Sequence, residues 1–250
     1  MKIGILGCFY DCAEDLESVL LPWREYKSQS TKHSVLMACV NSQFKEYGDL
    51  GYENENQETI EKIVKNDTID QYYVSPVPLM EHEARNLPLG YLLQNDVDAF
   101  WLLDGDEFYT YGDINNIINF VEENADYDYY EINFKNYILD GKSWTDGFCP
   151  SRIFWTKKNG GVKGFYWDND IIYGENTPHK NLSRLEIPRN IAHVRHMTWL
   201  HTNGKKKVEY HSKHFGECSY KWNEEKEQLE IDKDYYKKHN KEMPKIIAET

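Results

Sequence analysis

Three carboxylates lie close together in the middle of the chain, in the acidic segment Asp104, Gly105, Asp106 and Glu107. The five residues before it, 99–103, are all apolar and have the composition of a buried β-strand. If the backbone stays extended beyond that strand, Asp104 and Asp106 point to the same side, because side chains alternate along a strand. Two such oxygen donors can bind Mg²⁺ or Mn²⁺ and leave coordination positions for the oxygens of a diphosphate.

Gly105, between the two aspartates, permits either a close approach of the backbone to a ligand or a bend. In open α/β sheets, ligands bind beyond the carboxyl ends of the strands, which is where the acidic segment would lie. The alternative is an acidic surface turn, since Asp-Gly is a favoured turn pair. The apolar run before the segment and the third acid, Glu107, favour the ligand site.

The charge of the chain limits the ligands that it can bind. Asp and Glu number 42 against 29 Lys and Arg, which gives a net charge of −13 and argues against binding to nucleic acid or to anionic membranes. A protein this acidic can bind a nucleoside diphosphate when a divalent cation lies between the two negative partners. An anionic ligand therefore implies a metal.

The elements that position the acidic segment alternate between strand and helix patterns, which predicts an α/β fold with a doubly wound, mostly parallel sheet. The predicted strands are residues 2–9, 34–40, 71–77 and 99–103, and the predicted helices are 15–26, 56–65 and 87–94. Further on we predict a helix at 114–123, strands at 127–137, 151–155 and 191–199, a loop at 159–178 and a helix at 222–239. We expect one domain over 1–250, with a nucleotide-binding half at 1–110 and an acceptor half at 111–250.

The cysteines predict neither disulfides nor a zinc site, because they are odd in number, scattered and without a CxxC pair. They are Cys8, Cys12, Cys39, Cys149 and Cys218. We expect reduced thiols in a cytoplasmic protein, since the chain shows no signal peptide and no apolar stretch of membrane-spanning length. The first strand is not followed by G-x-G-x-x-G, and no G-x-x-x-x-G-K-[ST] occurs, so the common dinucleotide and phosphate-loop motifs are excluded.

Residues 102–108, LLDGDEF, resemble the DxD segment of family 2 glycosyltransferases, which have the GT-A fold. Glu83-Ala84-Arg85-Asn86, with Leu89, resembles the ARN-x-x-L segment that precedes that strand in the family. Residues 2–6 and 11–16 resemble the family's first strand and the acidic start of its first helix, so the resemblance covers the first half of the chain well.

The resemblance implies a metal-dependent, inverting hexosyltransferase with a UDP-linked or other nucleotide-diphosphate sugar donor and a glycan or other hydroxyl acceptor. The cofactor is expected to be Mn²⁺ or Mg²⁺. The predicted nucleotide-sugar site consists of Phe9, Tyr10, Asn41, Arg85, Asp104, Gly105 and Lys207. Asn41 replaces the Asp-rich segment that usually holds base and ribose in the family.

Arg85 is predicted to lie just outside a helix that begins after Asn86, because Pro88 is best tolerated in a first helical turn. An arginine at a helix N-terminus suits a phosphate. The alternative is an ion pair with Glu81 or Glu83.

The resemblance also implies a C-terminal histidine as a third metal ligand beside Asp104 and Asp106, within an H-x-[ST]-W strand. His196 fits that pattern, with His201 as the second choice, and an imidazole ligand favours Mn²⁺ over Mg²⁺. The alternative for His196 is a structural histidine bonded to the backbone. Lys207 belongs to a lysine run, 205–207, which is either a solvated loop or a loop that closes over the diphosphate.

Inversion requires a general base on the acceptor hydroxyl. Asp168 and Asp170 lie among aromatic residues, and we favour Asp170 because an apolar strand follows it; the alternative is an Asp-Asn turn. Trp144, Trp155 and Trp167 are candidates for an acceptor-sugar platform or for core packing.

Two other functional classes remain open. The first is a GT-A-like module that binds a carbohydrate or nucleotide without catalysis. The second is a metal-dependent nucleotidyltransferase or phosphodiesterase, which we rank last because such enzymes prefer more basic grooves.

Overall fold

The computed structural model describes residues 1–45, 56–138, 143–166, 170–192, 194–197, 205, 208–209, 212–213, 216–226, 228–243 and 245–248. Its helices include α1 (Ala13–Gln29), α2 (Gln57–Lys65), α3 (Glu81–Gln94), α4 (Tyr111–Glu123) and α5 (Lys233–Lys238). The strands of the first half are β1 (Lys2–Cys8), β2 (Ser34–Asn41), β3 (Gln71–Val74), β4 (Ala99–Asp104) and β5 (Glu107–Phe108). Those that follow are β6 (Tyr129–Ile132), β7 (Phe134–Ile138), β8 (Ser143–Phe148), β9 (Ser151–Trp155), β10 (Val162–Phe165), β11 (Ile171–Tyr173), β12 (Thr177–Pro178), β13 (Arg184–Ile187), β14 (Val194–His196), β15 (Tyr220–Asn223), β16 (Gln228–Ile231) and β17 (Ile246–Ala248).

A seven-stranded sheet with the order β13-β6-β9-β4-β1-β2-β3 forms the centre of the molecule. The first four strands of the chain pair in parallel, with β4 beside β1 and β2 between β1 and β3. β9 is antiparallel to both β4 and β6, and β13 is parallel to β6. The predicted α/β class and the parallel pairing of the first four strands are therefore confirmed, and the sheet also takes strands from beyond residue 110.

Both faces of this sheet are buried. Side chains on the two faces of β1 pack into two different hydrophobic cores. Ile3 and Ile5 pack with Trp23 of α1 in one core, while Leu6 packs with Leu92 of α3 in the other. In the first core the indoles of Trp23 and Trp101 meet edge to face, with ring centroids 4.8 Å apart. Replacing either with alanine would cost about 3–5 kcal/mol of stability.

A second sheet with the order β17-β8-β7-β14-β5 starts where β4 ends. The chain leaves the seven-stranded sheet after Asp104, turns at Gly105 and Asp106, and enters the second sheet as β5. β14 lies antiparallel to β5, with His196 opposite Glu107 in the register. This change of sheet brings a strand from the C-terminal half next to the acidic segment.

Helix starts follow local capping. α4 begins after Thr110, whose Oγ1 accepts from the Asp113 backbone N at 3.1 Å, while the Asp113 carboxylate accepts from the Thr110 backbone N at 2.9 Å. α3 begins at Glu81, not after Asn86 as predicted, and the Met80 backbone N donates to Glu83 Oε2 at 3.0 Å. Pro88 lies inside this helix and is buried, so packing outweighs the loss of one backbone donor.

Three other sequence predictions are wrong. Residues 159–178, predicted as a loop, contain β10, β11 and β12, which form a three-stranded sheet. The strand predicted at 127–137 divides at Asn133 between the two larger sheets, where the Asn133 amide bonds to the Ile187 carbonyl at 3.3 Å.

The third error is the helix predicted at 222–239, which is the hairpin β15–β16 followed by α5. Buried Tyr220 is followed by exposed Lys221 in β15, and the many charged residues of this region resemble those of a polar helix. Asp232 then begins α5 by accepting from the backbone N of Asp234 at 3.0 Å. Among the described residues no helix is long and apolar enough to cross a membrane.

Candidate functional site

The backbone of the acidic segment turns at Gly105 and Asp106 instead of staying extended, so strand alternation does not set the direction of its carboxylates. We call these four residues, 104–107, the acidic turn. They lie beyond the carboxyl end of β4, and Asp104 is in register with Cys8 at the end of β1. The prediction that Asp104 and Asp106 share one side because the chain is extended is therefore wrong, and each carboxylate has partners of its own.

Asp104 lies between two guanidinium groups. Arg152 Nη2 is 3.1 Å from Asp104 Oδ2, and Arg85 Nη2 is 3.5 Å from Asp104 Oδ1. The Asp104 side chain is 27% exposed, so this pair of contacts reaches the surface. A carboxylate flanked by two arginines is a weaker candidate for direct metal coordination, because its charge is already partly neutralised.

Glu107 is fully buried behind the acidic turn. Arg152 Nε donates to Glu107 Oε1 at 2.8 Å, and the Tyr109 hydroxyl donates to Glu107 Oε2 at 3.2 Å. The Trp101 indole N–H in turn donates to the Tyr109 oxygen at 3.4 Å. Burial raises the pKa of Glu107 above its usual value, and the Arg152 guanidinium opposes this by stabilising the carboxylate.

Asp106 faces His196, and the Nε2–Oδ2 distance is 3.6 Å. The other ring nitrogen, Nδ1, is 2.9 Å from Asn136 Oδ1, which can only accept. Nδ1 is therefore the donor in this contact, and Nε2 is the ring nitrogen turned toward the Asp106 carboxylate. The Met197 backbone N donates to the Asp106 carbonyl at 2.9 Å and holds the two segments together.

The Asp106–His196 pair fits a divalent cation by its donor chemistry and by its separation. Two donors that each lie about 2.1 Å from a cation can be up to about 4.2 Å apart, and 3.6 Å falls within that limit. An amide oxygen that fixes the second ring nitrogen is the usual support for a metal-ligating histidine. Within the described residues no group of three or more His, Cys, Asp or Glu side chains is arranged to hold a metal. A cation bound by this pair alone among the described residues would take further ligands from water or from a bound diphosphate.

Arg85 lies inside α3 and not beside its start. Its Nη2 is 2.6 Å from Glu81 Oε1, which is one of the ion pairs considered from the sequence, and it also approaches Asp104. Its guanidinium lies over the Phe165 ring, 5.8 Å from the centroid. The Arg85 Nε is buried and has no hydrogen-bond partner in the part of the chain that the structure describes, so this N–H can still donate.

Phe9 and Asn41 have structural contacts at the ends of β1 and β2. Phe9 is buried, and its backbone N donates to the Val40 carbonyl at 3.0 Å. Asn41 is 1% exposed; its amide N donates to the Phe9 carbonyl at 2.7 Å, and its amide O accepts from Asn56 at 2.9 Å. The geometry lends no support to a nucleotide contact by either side chain, and both assignments stay predictions.

Tyr10 differs from these two residues. Its hydroxyl is buried and has no hydrogen-bond partner among the described residues. Burial, followed by the nearby Asp11, raises the pKa of Tyr10 to about 12. A neutral, unsatisfied hydroxyl next to β1 is a group that a ligand could satisfy.

Gly105 is required by packing within the protein. A Cβ at this position would lie 2.7 Å from Cys12 Sγ, too close for any other residue without displacement of the start of α1. The sequence analysis allowed a close approach of Gly105 to a ligand, or a bend. In the structure the chain turns there, and the close neighbour of Gly105 is Cys12. The thiol of Cys12 has a pKa raised by burial, and Cys8, Cys12 and Cys39 are free thiols as predicted.

Asp170 precedes β11 and is ion-paired with Lys180, whose Nζ is 2.6 Å from Oδ2. His179 Nδ1 is 3.6 Å from Asp170 Oδ1 and accepts from the Ile171 backbone N at 3.1 Å. These described contacts do not bring Asp170 to the acidic turn. Asp168, Lys207, Trp167 and His201 lie outside the described residues.

The two described tryptophans of the predicted sugar platform already have partners. Trp144 has Lys135 at 5.2 Å and Arg189 at 5.5 Å from its ring centroid. Trp155 donates from its indole N–H to the Tyr130 oxygen at 3.2 Å and packs against the first core. Core packing, the alternative considered from the sequence, is thus the observed environment of Trp155.

Arg152 and Glu107 are the residues of this site that the sequence analysis missed as a pair. Glu107 is the third acid of the acidic segment, and a strand is predicted at 151–155, which carries Arg152. No local signal links the two, because they are 45 residues apart in the chain.

No protein-family model matches the chain, and no curated protein matches it. Among solved structures it is similar to S. aureus TarS, with 11% identity, a TM-score of 0.46, and coverage of 84% of this chain and 38% of that chain. A structure of S. aureus TarS 1-349 has 10% identity, a TM-score of 0.47, and coverage of 84% and 63%. The same fragment in complex with UDP-GlcNAc has 10% identity, a TM-score of 0.44, and coverage of 75% and 59%. The chain thus spans less than two thirds of each of these structures.

Proposed function

We propose that the chain is a metal-dependent glycosyltransferase of the GT-A type, which transfers a hexose from a nucleotide-diphosphate sugar to a hydroxyl of a glycan or another acceptor. The observation that carries the proposal is the Asp106–His196 pair, held 3.6 Å apart beyond the end of a central strand. The DxD resemblance supports a UDP-linked donor and an inverting reaction.

The topology supports a nucleotide at this edge. The chain continues from β1 to β2 and β3 on one side of the sheet, while β4 lies on the other side of β1. The point between β1 and β4 is thus the place where the strand order reverses, and α/β sheets bind ligands at such points. Tyr10, Asp104 and Arg85 all lie at this position.

The charges support a cation with the donor. Among the described residues, the carboxylates of Glu81, Asp104 and Glu107 pair with two guanidinium groups, those of Arg85 and Arg152, and Asp106 lies in the same turn as Asp104 and Glu107. A diphosphate would add negative charge to this cluster. Mn²⁺ or Mg²⁺ at Asp106 and His196 would, when bound, neutralise the leaving diphosphate.

The other residues have roles that follow from their contacts. Arg85 would donate its unpartnered Nε–H to the donor, and Asp104 would accept from a donor hydroxyl while it stays close to the two arginines. Asp170, which lies beside Lys180, would accept the proton of the acceptor hydroxyl as it attacks the anomeric carbon. Asp168 is the second choice for this base, and Lys207 would contact the diphosphate.

Calorimetric titration with UDP, with and without Mn²⁺, tests the donor site, and hydrolysis of several sugar nucleotides in Mn²⁺ tests the donor sugar. We expect UDP affinity to depend on the metal and one donor to be hydrolysed with release of UDP. Asp106→Asn should abolish both effects, and Asp67→Asn, at an exposed aspartate, is the matched control. Equal UDP affinity with and without Mn²⁺ would contradict the proposal.

The surroundings of Asp170 favour a second candidate, a GT-A-like module that binds without catalysis. The described contacts of its carboxylate are to Lys180 and His179 and not to the acidic turn. Metal-independent binding of a glycan or nucleotide, without donor hydrolysis, would favour this module over the transferase.

A further inference from the structure

Arg152 bonds to both residues that flank the turn at Gly105 and Asp106. Its Nη2 is 3.1 Å from Asp104 Oδ2 before the turn, and its Nε is 2.8 Å from Glu107 Oε1 after it. Nη2 also contacts the same Glu107 oxygen. The Arg152 side chain is only 8% exposed and that of Glu107 is fully buried, so the bonds between these two residues are shielded from water. One guanidinium therefore holds the two ends of a turn whose centre carries Asp106.

The same guanidinium packs against a ring that contacts His196. It lies over the Phe134 ring, 5.4 Å from the centroid, and that ring is 5.7 Å from the imidazole of His196. β7, which begins at Phe134, and β14 are neighbouring strands of the second sheet. Arg152 thus contacts Asp104 and Glu107, which flank Asp106, and Phe134, which packs against His196. None of its described bonds is to Asp106 or His196 themselves.

The sheet order explains how Arg152 reaches this position. β9 runs antiparallel to β4, and the last register pair toward the acidic turn joins Trp101 to Ile153. Arg152 follows next along β9 and so lies alongside the carboxyl end of β4. A parallel neighbour would place its amino end at the opposite edge of the sheet.

We propose that Arg152 is a positioning residue, which fixes the acidic turn so that Asp106 stays at a cation-binding distance from His196; this rests on the proposed function. Residues that orient the metal ligands without binding the metal typically contribute a factor of about ten to a hundred to metal affinity. The competing explanation is that Arg152 only compensates the buried charge of Glu107. Both explanations predict an unstable Arg152→Met protein, so that variant alone does not separate them.

The double variant Arg152→Met with Glu107→Gln separates them, because it removes the buried charge together with its partner. Calorimetry with Mn²⁺ alone, and with UDP in Mn²⁺, measures binding, and thermal unfolding without ligand measures the fold. We expect the double variant to unfold near the wild-type temperature but to bind Mn²⁺–UDP ten- to a hundredfold more weakly. Wild-type affinity in the folded double variant would overturn the proposal.

Arg152→Lys is the alternative variant for testing the positioning role if the double variant does not fold. A lysine has one ammonium group, so it can compensate Glu107 but cannot keep the planar, two-sided contact with Asp104. We expect weakened Mn²⁺–UDP binding here also, and wild-type affinity would again overturn the proposal. Arg184→Met is the matched control, because Arg184 is an exposed arginine ion-paired with Glu131, and it should change neither affinity.

The wild-type titrations separate a failure of this proposal from a failure of the proposed function. If the wild type binds Mn²⁺ but not UDP, the donor assignment is wrong, and the variants still test Arg152 through Mn²⁺ affinity. If the wild type binds neither, both proposals are overturned.

Discussion

The two edges of the seven-stranded sheet each have a histidine beside a carboxylate, and the two pairs differ in the distance between ring nitrogen and carboxylate. At the amino edge, where β1 and β2 begin, His33 Nε2 is 3.0 Å from Glu122 Oε1 and His33 Nδ1 is 2.6 Å from the Tyr26 hydroxyl. Lys32 and the amino terminus also lie beside Glu122. Both nitrogens of this histidine therefore have partners at hydrogen-bond distance.

At the carboxyl edge, beyond β4, the corresponding pair is more widely spaced. His196 has Asn136 on one nitrogen, but its second nitrogen and the Asp106 carboxylate are 3.6 Å apart. A hydrogen bond would normally bring such atoms to about 3 Å. Both histidines are largely buried, so the two pairs differ in the distance between ring nitrogen and carboxylate and not in burial.

Asp106→Asn is the variant for which we expect the largest effect on binding. Loss of the ligand charge should reduce Mn²⁺-dependent UDP affinity by at least about a hundredfold, because it removes a direct ligand rather than a supporting group. Calorimetry measures the affinity, and urea unfolding should show little change in stability. If Asp106→Asn binds Mn²⁺–UDP with wild-type affinity, the proposed binding role of the carboxyl edge is wrong.

Glu122→Gln is the reciprocal change at the amino edge. It should lower the free energy of unfolding by about 1–2 kcal/mol, because the carboxylate accepts from Lys32 and His33. Mn²⁺–UDP affinity should stay at the wild-type value. Urea unfolding measures the stability, with Glu25→Gln at an exposed position as the control; a loss of metal affinity would show that the edges are not independent.

Asn136→Ala should have a smaller effect at the carboxyl edge. Without the acceptor at Nδ1, the His196 ring loses its fixed orientation, and we expect Mn²⁺ affinity to fall roughly tenfold. Asn116→Ala, which alters an exposed asparagine of α4, provides the comparison. If the two variants bind Mn²⁺ equally well, His196 does not need this support.

The smallest effect concerns acid pH. Burial opposes ionisation of Glu122, but Lys32 and His33 outweigh it and hold its pKa below the ordinary 4.5. Its stabilising contribution is therefore fully present above that value and is lost as the pH falls through the lower pKa of the folded state. The stability difference between wild type and Glu122→Gln, measured by urea unfolding at several pH values, should shrink in acid; a difference independent of pH would exclude this ionisation as its cause.

The sequence was sufficient for those features whose signals are local. The alternation of strand and helix predicted the four parallel strands of the first half, and the apolar run predicted β4 and the acidic residues at its end. The residue chosen from the resemblance, His196, does lie opposite Asp106. Its role as a metal ligand stays a prediction.

Features set by distant contacts were not predicted. Arg152 meets Asp104 from 48 residues away, and only the position of an antiparallel strand between β4 and β6 brings them together. Pro88 suggested a later helix start, yet capping by Glu83 and burial of the helix determined the outcome. In the C-terminal region the many charged residues of the β15–β16 hairpin resemble those of a polar helix.

Asn86 connects α3 to the β10–β11 hairpin through two bonds to one residue. Its amide N donates to the Phe165 carbonyl at 2.9 Å, and its amide O accepts from the Phe165 backbone N at 2.7 Å. The helix that carries Arg85 is thus bonded directly to β10, the strand that precedes Asp170. A movement of β10 would therefore be transmitted to α3 through Asn86. In the proposed reaction this linkage would couple the position of Asp170, on the acceptor side, to that of Arg85, on the donor side.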